Sequence, residues 1–512
     1  MKTNEKKTHV KNSIVRLFLS VMAISLQIGI WVSVLLQFYQ RAKWIPIMVN
    51  AVACIVAFAI NGTRKNAGFK MPWIFLLLML PVFGLVMFVI SGLSGGTIRM
   101  RQCFQEIDRE IFCRLPENEA VWHQFQKKSP AWANIAKYLK KVAKYPVYHH
   151  TSVQYFSEAS DGFEEQKRCL KRAKSYIYME YHAIENRESF LELKEILADK
   201  VKEGVTVRLI YDDVGSISFL NKDFIREMKT LGIQCRVFNP VLPVLNIFLN
   251  NRDHRKLTVI DGQIGFTGGY NLANEYFNRT HPYGHWKDTG IKLEGDAVVS
   301  LEAIFLEMWN GIRTGKEQLQ MGRLFETHWK DAESEGFIVP FADSPLDSDY
   351  VGEDVYISML NSATEYAFFM TPYLIITDEM TRAMTMAARR GVDVRIITPG
   401  IPDKKLVYKI TRSYYPILMD GGVKLYEYTP GFCHGKMCIC DDVAAVVGTM
   451  NLDYRSFYHH FENSCYLYGY REILNIKNDF LETFSKCRCV SNRRSKPLRA
   501  GQVILRLFSP LF

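Results

Sequence analysis

The stretch that decides the fold is DHRKLTVID at residues 253–261, followed by GGYN at 268–271. A second stretch, HGKMCICD at 434–441 with GTMN at 448–451, repeats it 180 residues later. Both carry His, Lys, Asp, Gly and Asn at the same spacing. One match of this kind is weak evidence for a site, whereas two matches with the same trailing residues indicate an internal duplication.

The duplication extends upstream of these two stretches. Strand-like apolar runs at 174–181 and 364–371 occupy matching places. At 202–210 and 389–397 a glycine ends an amphipathic helix and an alternating strand follows. Each half is therefore predicted as β-α-β-α-β followed by its His-x-Lys strand. Strands that alternate with helices indicate layered domains, so the predicted fold class is α/β, with two similar domains paired about a pseudo-two-fold axis.

The two domains lie between segments of different composition. A chain of 512 residues holds more than one core, and its longest apolar runs lie in the first hundred residues. The segment that follows them is mixed and charged, with one helix predicted at Trp132 to Lys144. We predict five parts: a membrane anchor at 1–96, a connector at 97–145, the two domains at 146–335 and 336–485, and a basic tail at 486–512.

Three apolar runs form the predicted anchor: Leu17 to Phe38, Trp44 to Ile60 and Met71 to Ile90. Each approaches or exceeds the about 20 residues that a helix needs to cross a bilayer. A signal peptide is excluded because the first run is too long, lacks a cleavage pattern and is followed by two more. We predict a multi-pass protein of the cell membrane with two or three spans. The middle run, which is short and carries Asn50 and Cys54, is the candidate for a re-entrant segment.

The distribution of charge does not determine on which side of the membrane the two large domains lie. By the positive-inside rule, three spans would place the large domains outside and two would place them inside. The net charge of +11 is modest for this length and is not gathered into a nucleic-acid-binding stripe. Its densest part is the tail, which has no acidic residue after Glu482 and ends in VILRLF at 503–508. We predict that the tail lies on the bilayer surface.

Cysteines and one extra loop have alternative interpretations. The close pairs, Cys438-x-Cys440 and Cys487-x-Cys489, lack zinc-finger spacing, so we assign no metal. Cys438 and Cys440 are predicted to pack on one face of a strand as small hydrophobic residues. The apolar segment at 241–249 has no counterpart in the second half. It is predicted to be buried, with a lipid-contacting lip as the alternative.

The two His-x-Lys strands carry the chemistry. Residues two apart on a strand face the same way, so His254 projects with Lys256, and His434 with Lys436. Pairing the domains brings both sets around one phosphoryl group. Two imidazoles can then divide nucleophilic attack and protonation of the leaving group, without a metal or another cofactor. The predicted phosphate-binding residues are Lys256, Lys436, Asn271 and Asn451.

Carboxylates are expected to support the histidines. Asp261 and Asp441 complete the motif five residues after each lysine, and we assign them a structural role at the turn toward the glycine. A nucleophilic imidazole needs a carboxylate on its other nitrogen. We predict Glu462 as the partner of His434 and Asp288 as the partner of His254. The other notable histidines are predicted to be surface or packing residues: His149, His150, His281, His285, His459 and His460.

These residues resemble the phospholipase D superfamily, and within it the bacterial cardiolipin synthases. Gly435, the pair Cys438 and Cys440, and the first apolar run depart from the family pattern. The first half matches in NRDHRK at 251–256, IGFTGGYN at 264–271, WKDT at 286–289 and LEG at 293–295. The second half matches in TPY at 371–373, GVDVR at 391–395, GFCHGK at 431–436 and NLDYRSF at 451–457.

The resemblance implies transfer of a phosphatidyl group. One phosphatidylglycerol would give its phosphatidyl group to a histidine and release glycerol, and a second phosphatidylglycerol would accept the group to form cardiolipin. No nucleotide is implied, because one phosphodiester replaces another and the chain has no P-loop. The sequence leaves open which histidine is the nucleophile, with His254 favoured by analogy, and it leaves the oligomeric state open.

Three alternatives remain beside this interpretation. Another phosphatidyl-transfer or hydrolytic enzyme, such as a phospholipase D or a phosphatidylserine synthase, would carry the same motifs. A nuclease is disfavoured because no basic groove with stacking aromatic residues is apparent. A catalytically inactive membrane scaffold is disfavoured because both His-x-Lys pairs are intact.

Overall fold

The computed structural model describes residues 11–41, 44–63, 66–92, 95–221, 223–241, 250–313, 317–321, 336–347, 349–490 and 506. Two sequence predictions fall mostly outside these residues. Of the apolar segment at 241–249 only Val241 is described, and of the basic tail only 486–490 and Arg506. Their proposed contacts with lipid stay predictions.

The N-terminal segment is helical. In the described part of the chain, α1 and α2 are the two helices long and apolar enough to cross a membrane. The middle apolar run, our candidate for a re-entrant segment, is one unbroken helix, α2, and its course through the membrane stays a prediction. The four helices are α1 (Lys11–Arg41), α2 (Trp44–Asn61), α3 (Ala67–Met79) and α4 (Pro81–Gly92).

The third apolar run is two helices, which corrects the single run predicted from Met71 to Ile90. Leu80, with φ −133° and ψ 69°, leaves the helical region. The ring of Pro81 disfavours a helical residue before it, while a proline suits the first position of a new helix. The rings of Trp73 and Phe88 lie 6.0 Å apart, although a continuous helix would separate these residues by about 22 Å. α3 and α4 therefore form a short hairpin.

The segment predicted as a connector is part of the folded body. Its helices are α5 (Gly95–Ile111), α6 (Glu119–Lys128) and α7 (Pro130–Ala143), and α7 confirms the helix predicted near Trp132. Phe104 and Phe125 are buried in the main core. The ring of Phe125 stacks on Phe337 at 4.5 Å. These helices thus contribute apolar surface that the second half needs.

The first half forms a mixed sheet. Its strand order is β1-β9-β7-β6-β2-β3-β4, with β2, β3 and β4 parallel and the others antiparallel to their neighbours. The strands are β1 (Thr151–Phe156), β2 (Tyr176–Tyr181), β3 (Thr206–Asp212), β4 (Gln234–Phe238), β5 (Arg252–Asp253), β6 (Lys256–Ile260), β7 (Ile264–Gly268), β8 (His285–Lys287) and β9 (Gly290–Gly295). The helices are α8 (Ala159–Lys171), α9 (Glu188–Lys202), α10 (Asp213–Ser216), α11 (Phe224–Thr230) and α12 (Val298–Gly311).

The second half repeats this order strand for strand. Among its described residues the order is β10-β19-β17-β16-β11-β13-β14, with β20 added at the edge. The strands are β10 (Phe337–Asp343), β11 (Tyr366–Met370), β12 (Leu374–Ile375), β13 (Asp393–Pro399), β14 (Lys424–Tyr428), β15 (Gly431–Cys433), β16 (Met437–Cys440), β17 (Ala444–Gly448), β18 (Leu452–Asp453), β19 (His460–Tyr468) and β20 (Cys487–Cys489). The helices are α13 (Val351–Ser362), α14 (Asp378–Arg389), α15 (Lys405–Asp420), α16 (Tyr454–Tyr458) and α17 (Glu472–Ser485).

The matching order confirms the predicted α/β fold with two similar domains. Cys438 and Cys440 are fully buried on β16, as predicted, with their sulfur atoms 4.0 Å apart. Helix α12 is buried along its whole length. It packs against the first sheet, against β10 and against α5. A helix enclosed on all sides joins the layers into one body.

Two short strand pairs cross between the halves. β5 runs parallel to β19, with Arg252 opposite His460. β15 runs parallel to β8, with Phe432 opposite Trp286. Each crossing strand lies immediately before one His-x-Lys pair. The backbone that positions each histidine is therefore held by the other half of the chain.

Candidate active site between the two halves

The two motif histidines lie at the crossing strands. His254 follows β5 and His434 follows β15. Both are buried, with 8% and 6% of their surface exposed. His254 N–H donates to the carbonyl of Phe461, and His434 N–H donates to that of Lys287. The backbone of each histidine is thus bonded to the opposite half.

The intervening residue of the first motif points away from the site. The Arg255 side chain is fully buried, and its guanidinium donates to Glu307 at 2.7 Å and to the carbonyl of Ile304 at 3.2 Å. Both acceptors belong to α12. His254 and Lys256 face the other way, as the alternation of an extended chain requires. The arginine therefore fixes the motif to the central helix.

Each histidine contacts a carboxylate from the other half, and our predicted pairing was wrong. His254 Nδ1 lies 2.9 and 3.0 Å from the two oxygens of Glu462. His434 Nδ1 lies 2.6 Å from Asp288 Oδ2. The pairing is exchanged because Glu462 lies on β19, beside β5, and Asp288 follows β8, beside β15. Among the described residues, each motif histidine is therefore paired with a carboxylate that its own half does not supply.

These carboxylates set the protonation of the rings. A carboxylate accepts a hydrogen bond, so Nδ1 carries the proton and Nε2 keeps its lone pair. Burial, reinforced by the lysine ammonium groups, lowers the pKa of His254 well below its usual range and that of His434 to about 3. Both rings are therefore neutral in the empty site. A neutral imidazole with a free Nε2 is a competent nucleophile.

The two motif lysines are buried beside the histidines. Lys256 and Lys436 are each 1% exposed. Lys256 Nζ donates to the carbonyl of His254 at 2.6 Å, and Lys436 Nζ donates to that of His434. Burial lowers the pKa of Lys256 to about 7 and that of Lys436 to about 8, although Glu462 and Asp288 oppose the shift. Two desolvated ammonium groups in one space favour an anionic ligand.

The two motif asparagines are buried, and both make contacts within their own half. Asn271 Oδ1 accepts from the N–H of Ala183, and its Nδ2 donates to the Tyr276 hydroxyl at 2.8 Å. The buried Oδ1 of Asn451 has no hydrogen-bond partner among the described residues. An amide has two N–H donors, so each can still direct one toward a ligand. Their phosphate-binding role stays a prediction.

The motif aspartates lie at the far ends of β6 and β16, away from the histidines. Asp261 accepts hydrogen bonds from the backbone N–H groups of residues 174, 175 and 176. Asp441 accepts from those of residues 364, 365 and 366. Both have positive φ, 53° and 51°. They tie each motif strand to the start of the antiparallel strand beside it, β2 or β11, and do not face the reacting groups.

Two equivalent positions differ between the halves. In the two sheets Gly268 pairs with Gly290, and the equivalent Gly448 pairs with Ser464. Trp286 and His460 each lie four residues before that pairing residue, so they occupy equivalent positions. Trp286 lies 5.2 Å from His434. His460 lies 5.2 Å from His254, between ring centroids. His460 was predicted to be a surface or packing residue, and of these two alternatives the surface position is excluded, since His460 is buried beside His254.

Other neighbours extend this asymmetry, and sequence reasoning missed them. His182 lies 5.0 Å from His254, edge to face. Tyr276 lies 5.3 Å from His434, and Phe432 lies 5.7 Å from it. His254 is thus surrounded by imidazoles and His434 by aromatic rings. The available signal for His182 was its position directly after the buried strand β2.

One side-chain cluster has the composition of a metal site. Ligand atoms of His254, His460 and Glu462 all lie within 4.8 Å of one another. However, the positive charges of Lys256 and Arg455 act on His460 and lower its pKa, after the larger effect of burial. Positive charge on this cluster opposes a further cation, so the site as a whole is better suited to an anion.

The anchor contacts the body on the His254 side. Arg16 of α1 forms a 2.7 Å ion pair with Asp213, whose carboxylate also accepts from the N–H of Val241. At the start of α3, a Cβ added to Gly68 would collide with the phenol of Tyr454. Tyr454 begins α16, which follows the second motif asparagine directly. The membrane-associated helices therefore lie next to the residues that surround the site.

Comparison with known proteins agrees with this geometry. The family model described as "Cardiolipin synthase, PLD-like domain" matches residues 167–309 and 356–484. A cardiolipin synthase of Halalkalibacterium halodurans is 32% identical over 91% of this chain and 93% of its own length. Cardiolipin synthase 2 of Bacillus cereus is 33% identical over 90% of both chains. An uncharacterized Streptococcus mutans protein is 40% identical over 85% of this chain and 94% of its own length.

A solved structure shares the fold. The phosphatidylserine synthase of Haemophilus influenzae superimposes with a TM-score of 0.55 and 12% sequence identity, covering 74% of this chain and 98% of its own. At this identity the likeness concerns the fold alone. It supports the description of two repeated α/β layers.

Proposed function

This chain belongs to the cardiolipin synthase family with phospholipase D-like domains, and we propose that it transfers a phosphatidyl group from one phosphatidylglycerol to another. The products are cardiolipin and glycerol. One observation carries the proposal: two neutral histidines, each oriented by a carboxylate of the opposite half, lie beside two buried lysines. This arrangement suits attack on a phosphodiester and stabilisation of its transition state.

In the first step the phosphodiester of a phosphatidylglycerol binds between Lys256 and Lys436. The Nε2 of one histidine, which we take by analogy to be His254, attacks phosphorus. The P–O bond to the glycerol headgroup breaks, and the second imidazole, protonated once the anion is bound, gives its proton to the departing oxygen. Glu462 stabilises the positive charge that develops on His254. The result is a phosphatidyl-histidine and free glycerol.

In the second step another phosphatidylglycerol supplies a headgroup hydroxyl. His434, now neutral and oriented by Asp288, takes the hydroxyl proton while the oxygen attacks phosphorus. The N–P bond breaks and His254 regains its lone pair. One phosphodiester has replaced another, so the reaction requires no nucleotide. The buried site favours a lipid alcohol over water.

The position of the anchor supports a lipid substrate. α1, α3 and the loop before α3 contact the body near the site through Arg16, Gly68 and Asn66, the last bonded to Glu379 at 2.8 Å. A headgroup at the membrane surface would therefore enter on this side. Phosphatidylglycerol carries both the phosphodiester and the free hydroxyl that the two steps need.

We further propose a multi-pass topology with α1 and α2 spanning the membrane and α3–α4 entering it without crossing. α3 and α4 have 13 and 12 residues, too short for the about 20 that a span requires. Two spans return the chain to its starting side. Basic residues flank that side at the N-terminus and at Arg64, Lys65 and Lys70, which favours the cytoplasm for the catalytic body. The proposed domain boundaries are those given from the sequence, except that residues 97–145 belong to the folded body and are not a connector.

The full chain in vesicles of labelled phosphatidylglycerol, with chelator and without nucleotide, tests the reaction. We expect cardiolipin and glycerol in equal amounts. Phosphatidic acid as the main product would identify a hydrolase. A requirement for added metal would contradict the two-histidine mechanism.

A further inference from the structure

Arg455 is a partly buried arginine whose terminal groups are unused. It is the second residue of α16, and its Nε–H donates to His460 Nε2 at 3.2 Å. Among the described residues its two terminal NH2 groups make neither a hydrogen bond nor a salt bridge. A guanidinium offers five N–H donors in a planar fork, so four of them are available to a ligand.

The contact with His460 ties this arginine to the reacting groups. Since the arginine can only donate, His460 Nε2 accepts and the ring proton lies on Nδ1. That nitrogen lies 3.4 Å from Glu462 Oε1, the carboxylate that orients His254. Arg455 is therefore two side chains from His254, through His460 and Glu462.

The charged groups that act on Arg455 are the carboxylates of Asp453 and Asp212 and the guanidinium of Arg252. Arg252 is buried nearby, but Asp212 neutralises it at 2.9 Å. Lys404 is exposed, and its ammonium lies 5.4 Å above the ring of Tyr373. Its charge acts on Asp453, two residues before Arg455, and on His182, whose ring lies 5.0 Å from His254. Asp453 is the nearest acid in sequence, and its carboxylate accepts from the N–H of Ser456 at 2.8 Å.

Arg455 lies between the reacting groups and the anchor. Its neighbour Tyr454 touches Gly68 at the start of α3, while its own side chain reaches His460. A lipid headgroup that entered from the membrane would meet Arg455 before it reached His254. The two motif lysines are occupied by the reacting phosphate, so they cannot serve a second one.

We propose that Arg455, assisted by Lys404, forms a subsite for the phosphodiester of the lipid acceptor, the phosphate that does not react. The inference rests on the proposed function, in which the acceptor alcohol is itself an anionic phospholipid. A phosphodiester in a partly buried place needs a cation, and the arginine fork matches its two free oxygens. The subsite distinguishes a lipid acceptor from an uncharged alcohol.

Two acceptors test the subsite in one preparation. The first is phosphatidylglycerol, measured as cardiolipin formed. The second is labelled free glycerol, which attacks the phosphatidyl-histidine and so reverses the first step. The label then appears in phosphatidylglycerol, and this acceptor carries no phosphate of its own. For Arg455→Gln in the full chain we expect cardiolipin formation to fall at least about 10-fold, through a higher KM for the acceptor, while glycerol exchange changes less than about 3-fold.

Arg389→Gln is the matched control, because Arg389 is an exposed arginine at the end of α14. It should leave both rates unchanged. Arg455→Lys, which keeps the charge but not the fork, should recover part of the cardiolipin rate. Thermal melting of each variant establishes that it is folded, and if Arg455→Gln does not fold, Arg455→Lys and Lys404→Gln provide the same comparison.

Equal loss with both acceptors would overturn the subsite, since Arg455 would then serve the reacting phosphate or the fold. Free inorganic phosphate gives a second arm. Suppose that Arg455 is instead a site for free phosphate. Added phosphate would then change both cardiolipin formation and glycerol exchange in the wild type, and neither of them in Arg455→Gln. That result would contradict a lipid subsite. Failure of the proposed function is separate, because wild-type protein would then make no cardiolipin at all.

Discussion

Trp286 and His460 occupy the same place in the two halves, and each ring lies 5.2 Å from the histidine of the opposite half. One is an indole against His434 and the other an imidazole against His254. The site therefore has a symmetric backbone and unequal chemistry. Burial among aromatic rings and burial among polar rings stabilise charge differently, so the two motif histidines are suited to different steps.

Removal of either carboxylate should impair the histidine of the other half. Glu462→Gln and Asp288→Asn keep the volume but lose the charge that orients His254 and His434. We expect each to lower kcat by about 100-fold or more, and His254→Ala or His434→Ala to abolish turnover.

Mass spectrometry after an alkaline quench, since phosphohistidine is acid-labile, should locate the phosphatidyl adduct on His254. An adduct on His434 would show that His434, and not His254, is the nucleophile. If either alanine variant kept most of its activity, the hypothesis of one shared active site would be contradicted.

The affinity for phosphatidylglycerol should fall as pH rises above neutrality. The pKa values of Lys256 and Lys436 are lowered to about 7 and about 8, so the two ammonium groups lose their protons between about pH 6 and pH 9. Anion binding needs the charged forms, and KM should increase across this range more than kcat changes. Initial rates at constant ionic strength measure the profile. A KM that stays flat to pH 9.5 would contradict it.

Asp261→Ala should damage stability more than chemistry. The carboxylate accepts three backbone hydrogen bonds, and the substitution removes all three. We expect a decrease of about 2–4 kcal/mol in the free energy of unfolding, with near-normal kcat for the folded fraction. Chemical denaturation and active-site counting measure both. Asp199→Ala, at an exposed helical position, is the control. Loss of kcat in fully folded Asp261→Ala would return the residue to the catalytic set.

Truncation should separate the anchor from the body. A chain that begins at residue 95 keeps α5, whose Phe104 and Ile107 lie in the main core, and should fold. It should act on detergent-dispersed lipid and lose activity on vesicles. A chain that begins at residue 146 lacks α5 to α7, and we expect it to aggregate. Gel filtration and the two assays distinguish these outcomes. Vesicle activity equal to that of the full chain would show that the anchor is dispensable.

Much of this architecture is readable from the sequence because it is written in local patterns. Repeated strand and helix patterns predict the two sheets, and the duplicated His-x-Lys spacing predicts that His254 and His434 share a site. The pairing of His254 with Glu462 and of His434 with Asp288 could not be predicted from the sequence. It depends on which half of the chain supplies the strand beside β5 and the strand beside β15. No local pattern records a partner that far away in the chain.

Two other misses have different causes. Hydropathy described the third apolar run as continuous, because it averages composition and gives no weight to the break at Pro81. His460 looked like half of a surface pair with His459. Its role is decided by its registration with Trp286, which requires the strand alignment of both halves.

The exchange of strands between the halves also governs when the protein can act during its synthesis. A chain translated only as far as residue 430 already has His254 and Lys256, but it lacks Glu462 and the strand β19 that holds β5. Such a chain can sit on a phospholipid surface without cleaving it. We therefore expect the site to become complete only when translation has delivered the second half.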